Sequence, residues 1–196
     1  MPTPTAPEPP SDSGPARAVG DGKPTDADQP LLELVRQAPG AGVPGEDEVV
    51  VIHREPGGRA GELAWMPDDR HYCLAVVREA RAVTACGDLP KFWTRVGILL
   101  VAKGGPAPDP AGTTLYFAVV DGGHGPYAYS GKGTPPPGPG PGPGPVRDAT
   151  AAFASGRTVS LMTYERPATG RSAADTYICG ADNAICFPAM EALPLP

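Results

Sequence analysis

The chain has 196 residues, 28 of them Pro and 26 Gly, and a formal net charge of −6. Pro and Gly at that level mark low-complexity sequence when spread evenly, but here they gather in the first thirty residues and in the stretch 135–145. Lys and Arg total 16 against 22 Asp and Glu, without the basic clusters that phosphate-backbone binding requires, so nucleic acid is excluded as an expected partner.

Residues 1–27 run through Pro, Thr, Ser, Gly and acids with almost no large apolar side chain. Such a segment buries too little surface to offset its ordering entropy, which predicts an unstructured linker ahead of a β-rich domain over 28–196. The spacing of Leu31, Leu34 and Val35 predicts a short helix over 28–38. Asp28 suits its N-cap, Pro30 its first turn, and Pro39-Gly40 its stop. So short a helix is marginal alone, so its apolar face must pack on something.

Strand patterns follow. β-branched or alternating runs occupy 49–52, 63–66, 72–77 and 82–86, with Pro56-Gly57-Gly58 and Pro67-Asp68-Asp69 as turn signals. The run 93–103 is nearly all apolar at its centre, which predicts a strand in the middle of a sheet. Its expected hairpin partner is 114–120, across the loop 104–112. Shorter strands are expected at 127–130, 149–153, 159–163, 176–179 and 185–187. The Gly-Pro loop at 134–145 has few ladder donors and reads as an exposed excursion. The fold class is therefore all-β: a single β-sandwich or barrel-like domain of about nine short strands with one short N-terminal helix.

The four cysteines are Cys73, Cys86, Cys179 and Cys186. Four cysteines allow three pairings, and local geometry favours one. Residues opposed across a hairpin with an even loop differ by an odd number of positions, and both Cys73/Cys86 and Cys179/Cys186 meet that condition. Opposed residues bring their Cα atoms within disulfide reach. Asp182-Asn183, at the centre of the second pair, tolerates the left-handed backbone of a tight turn. Glu79-Ala80, at the centre of the first, are poor turn residues, which predicts a longer loop. Buried free thiols are a second reading. Zinc is a third, for which the spacings lack the usual paired knuckles, although alternation places His71 on the face of Cys73.

Paired disulfides imply an oxidising compartment. The first residues nevertheless lack the basic-then-apolar pattern of an export signal. The longest apolar run, 96–102, is strand-sized, so no membrane span is expected within this chain. A signal or anchor lost upstream, with residues 1–27 as its stalk, reconciles the two observations.

Candidate chemistry is sparse. The loop Asp121-Gly122-Gly123-His124-Gly125-Pro126 offers His124 and Asp121 as an acid–base pair, against a plain hairpin turn carrying a histidine. His53 follows a strand and precedes a turn. Ser130-Gly131-Lys132-Gly133-Thr134 fails as a phosphate loop because position 126 is Pro and position 133 is Gly. Asp68, Asp69 and Asp109 show no calcium-loop spacing. Trp93, at a loop-to-strand junction beside Phe92, is the candidate exposed aromatic. No cofactor and no metal are expected. These readings favour a non-catalytic extracytoplasmic binding or interaction domain with a protein or cell-surface partner. The alternatives are a hydrolase-type acid–base enzyme using His124 with Asp121, and a secreted inhibitor.

Overall fold

The computed structural model describes residues 12–38, 42, 44–89, 99–101, 113–123, 125–130, 146–167, 177–181 and 186–188. The strands, in chain order, begin with β1 (Arg17–Val19), followed by helix α1 (Gln29–Gln37). Then come β2 (Val50–Arg54), β3 (Gly61–Asp68), β4 (His71–Arg78) and β5 (Arg81–Asp88). After them lie β6 (Leu99–Val101), β7 (Thr113–Asp121), β8 (Tyr127–Ser130) and β9 (Arg147–Ala152). The last are β10 (Thr158–Pro167), β11 (Tyr177–Gly180) and β12 (Cys186–Pro188). They form three open antiparallel sheets, ordered β2-β3-β4-β5, β1-β9-β10-β7-β6 and β12-β11-β8. The chain is all-β, and of the two expected arrangements it takes the sandwich.

Side-chain alternation explains the layering. Successive strand residues point to opposite faces. On β3 and β4, Leu63, Trp65, Cys73, Ala75 and Val77 face Leu31, Leu32 and Val35 of α1. Ala64, Met66, Tyr72, Leu74 and Val76 face the other way, onto Phe117, Val119, Ala149, Ala151, Val159 and Leu161 of the five-stranded sheet. That sheet's far face carries Ala118, Val120, Met162 and Tyr164, which pack with Tyr127 of β8 and Ile178 of β11. The order is helix, four-stranded sheet, five-stranded sheet, three-stranded sheet. Both central sheets are covered on both faces, which is why β3 and β4 read as nearly unbroken apolar runs.

The helix falls within its expected bounds, with Pro30 in the first turn. Asp28 sits at its N-cap position but serves the preceding turn. Its carboxylate accepts hydrogen bonds from the backbone N–H and hydroxyl of Thr25, both at 2.8 Å, and pairs with Arg54 at 3.1 Å.

Three expectations need correction. The linker expected over 1–27 is ordered over its described part. Arg17–Val19 pairs antiparallel with Thr150–Ala152, Ala16 donates its N–H to Met66 O at 3.0 Å, and Ala16 and Ala18 are buried. Small alanines packed between two sheets need no large side chain to hold a strand, so composition hides this one; residues 1–11 lie outside the described set. The strand expected at the middle of a sheet over 93–103 is described only at Leu99–Val101. Among the described residues it pairs with β7 at the edge of the five-stranded sheet. An apolar run does not report how many neighbours the backbone has.

The third correction concerns the first hairpin. No longer loop joins β4 to β5. Arg78 pairs with Arg81, leaving Glu79 and Ala80 as a two-residue turn with φ of 50° and 57°. Both positive φ values match a type I′ turn, whose usual residues are Asn and Gly. Here the flanking register overrides the local preference. The Gly-Pro loop at 134–145 lies outside the described residues.

Candidate functional site

Both cysteine pairs are disulfides in register. Cys73 opposes Cys86 on β4 and β5, with Cα atoms 4.0 Å apart, and Cys179 opposes Cys186 on β11 and β12, at 4.1 Å. Each joins a buried cysteine, Cys73 or Cys179, to an exposed one. All four cysteines are bonded, so zinc and free thiols are both set aside for them. Asp182-Asn183 lie outside the described residues.

Each end of the sandwich carries a charged cluster. At the first end, Glu62 projects from β3 toward the sandwich interior and has no exposed surface. Its carboxylate accepts from Arg78 of β4 at 2.7 Å, from Arg147 of β9 at 3.0 Å and from the Thr163 hydroxyl of β10 at 2.5 Å. Burial alone would push Glu62 up. The Thr163 hydroxyl and the two guanidiniums outweigh it and hold the carboxyl below its ordinary value. His53 lies beside this cluster. Burial, reinforced by the charge of Arg147, pushes its imidazole down. Sequence reading missed Glu62, although a signal exists: in Gly61-Glu62-Leu63-Ala64-Trp65-Met66, alternation puts Glu62 on the face of Ala64 and Met66.

At the second end, the β3–β4 turn and the N-terminal segment frame an open cleft of about 290 Å³, lined by Asp12, Ser13, Asp68, Asp69, Arg70, His71 and Asp88. Asp68 Oδ1 accepts from the backbone N–H groups of Arg70 and His71, at 2.7 and 2.9 Å. That local clasp fixes the turn. His71 Nδ1 lies 2.7 Å from Asp68 Oδ1, and its Nε2 lies 3.4 Å from Asp88 Oδ1. The imidazole therefore stands between two carboxylates at the rim. It does not join Cys73 as a ligand: Cys73 belongs to the buried face under α1. Among the described residues, no three His, Cys, Asp or Glu side chains are grouped to hold a metal ion.

Behind the cleft, Arg157 ties the two main sheets together. It donates Nε–H to Asp121 at 2.9 Å and reaches Asp69 at 3.4 Å, with its guanidinium 6.0 Å from the ring centre of Phe153. Asp69 in turn accepts from the Asp12 backbone N–H at 3.2 Å. Asp121, expected as a partner for His124, is thus engaged in an ion pair with Arg157 within the five-stranded sheet. His124 and Trp93 lie outside the described residues. On β9, Asp148 accepts from the Tyr127 backbone N–H at 3.0 Å, and burial pushes its carboxyl up. The arrangement offers solvent a polar cleft of hydrogen-bonding groups, and the charged groups behind it hold the sheets together.

Comparison with known protein families, with curated proteins and with solved structures finds no match.

Proposed function

We infer that this is a non-catalytic binding or interaction domain that works outside the cytoplasm. The observation that carries the reading is the pair of in-register cross-strand disulfides, Cys73–Cys86 and Cys179–Cys186. Such bonds persist where the surroundings are oxidising and are rare where thiol reductants dominate. A sandwich covered on both sides is a rigid scaffold, and its exposed turns and clefts are where a partner would meet it.

The hydrolase alternative asks Asp121 to orient or assist His124. Arg157 already holds that carboxylate at 2.9 Å, which favours a structural assignment for Asp121. The test takes the protein from its own cells and measures its fraction and its thiol state together. Recovery outside the cytoplasm with no free thiol supports the reading. Recovery in the cytoplasm with four free thiols overturns it.

A further inference from the structure

We propose that the Cys73–Cys86 disulfide is a redox-controlled latch on β5, and that a dithiol reductant releases the turn end of this strand without unfolding the sandwich. The inference stands on the geometry of one hairpin and does not depend on the compartment.

β5 is the outermost described strand of the four-stranded sheet. Its hold differs from that of its neighbours. In β3 and β4, six of the eight residues in each are buried, whereas in β5 every residue from Arg81 to Asp88 is exposed or half-buried. The turn that feeds it runs against residue preference. Glu79 and Ala80 both sit at positive φ, where a side chain crowds the backbone. The far end is better anchored: Leu89 is buried and donates its N–H to Arg70 O at 2.6 Å, and Gly87 lets the ring of Tyr72 pass close over the backbone. Between the unfavourable turn and that anchor, the covalent tie is Cys86 to Cys73.

The chemistry of release is ordinary thiol–disulfide exchange. A thiolate of the reductant attacks Sγ of Cys86, the exposed partner. The Sγ–Sγ bond breaks, and Cys73 leaves as a thiolate that takes a proton from water. The reductant's second thiolate attacks the mixed disulfide and releases Cys86, which is protonated in turn. Two electrons pass from the dithiol to the cystine, and the reductant ends as a disulfide. Cross-linking residues 13 positions apart restricts the opened hairpin, so cutting the link favours opening by at least about tenfold. Residues 79–86 are then free to fray, while β2, β3 and β4 stay between α1 and the second sheet.

Amide hydrogen exchange on the full chain, before and after dithiothreitol under native conditions, tests this, with differential alkylation locating the reduced pair. Once Cys73–Cys86 is reduced, exchange across 79–86 rises at least about tenfold, and 61–68 stays protected. The variant Ala80→Gly, which suits positive φ, slows that exchange in the reduced protein. The proposal is overturned if reduction leaves 79–86 unchanged. It is equally overturned if all strands lose protection together, or if Ala80→Gly has no effect.

Discussion

Glu62 of β3 and Arg147 of β9 meet at 3.0 Å across the interior of the sandwich, with Glu62 wholly buried. Arg157 and Asp69 repeat the arrangement at the opposite end, again joining the five-stranded sheet to the four-stranded one. A buried charge is costly unless paired, and removing one member of a pair costs more than removing both. Replacing Glu62 by Gln keeps the size but removes the charge facing Arg78 and Arg147. Both arginines are partly exposed, so water relieves some of the loss. The expected destabilisation is about 3 kcal/mol in urea unfolding. The double variant Glu62→Gln with Arg147→Met should be less destabilised than the sum of the single changes. Strict additivity would mean that the two side chains do not interact.

The same cluster contributes to the acid limb of stability. His53 is held below 6.5 in the folded protein, and Glu62 below 4.5. For His53 the unfolded chain takes up a proton first, so its stabilising contribution is complete above about 6.5 and falls as pH drops below that value. For Glu62, the contribution is complete above the unfolded value and is lost as pH falls through the lower folded one. Thermal unfolding from pH 8 to pH 3 should therefore show a first decline beginning near about 6.5 and a second below about 4.5. The variant His53→Gln should lack the first decline. An unchanged first decline in that variant assigns it to another group.

Gly87 is required by Tyr72. A methyl group at position 87 would fall within bonding-clash range of the Tyr72 hydroxyl, whose ring is buried and packs on Phe117 with centroids 5.6 Å apart. Gly87→Ala should cost about 1–3 kcal/mol, because the ring cannot move without disturbing the sandwich core. Burial, with the charge of Asp88, pushes the Tyr72 hydroxyl up to about 12. In the native protein the midpoint of its ionisation, read by ultraviolet absorption, should lie near that pH. In Gly87→Ala, ring displacement should lower the midpoint. Full stability in Gly87→Ala would show that the ring has room.

Much of this fold is written in local patterns. The odd spacing of each cysteine pair predicted both hairpin registers, and the apolar runs 63–66 and 72–77 marked the centres of β3 and β4, which extend to Gly61–Asp68 and His71–Arg78. The helix was legible from Leu31, Leu34 and Val35 with Pro30 at its start. The rest depends on distant partners. β1 is held by backbone pairing to Thr150–Ala152 and by the small side chains of Ala16 and Ala18, neither of which leaves a hydrophobic signature. The Glu79-Ala80 turn defies local preference because the β4–β5 register and the disulfide fix it. The charged clusters were missed for the same reason. Glu62 needs Arg147, 85 positions away, and Asp69 needs Arg157, 88 away. Only Glu62 signalled itself, as an acid on an inward-facing strand position.

We propose that both cysteine pairs are closed in the working protein, as an oxidising place of action would keep them. The direct measurement is alkylation of protein from its own cells under denaturing, non-reducing conditions, followed by peptide mapping. The expected result is no alkylated cysteine before reduction and two linked peptide pairs, Cys73 with Cys86 and Cys179 with Cys186. Four alkylated cysteines would contradict it.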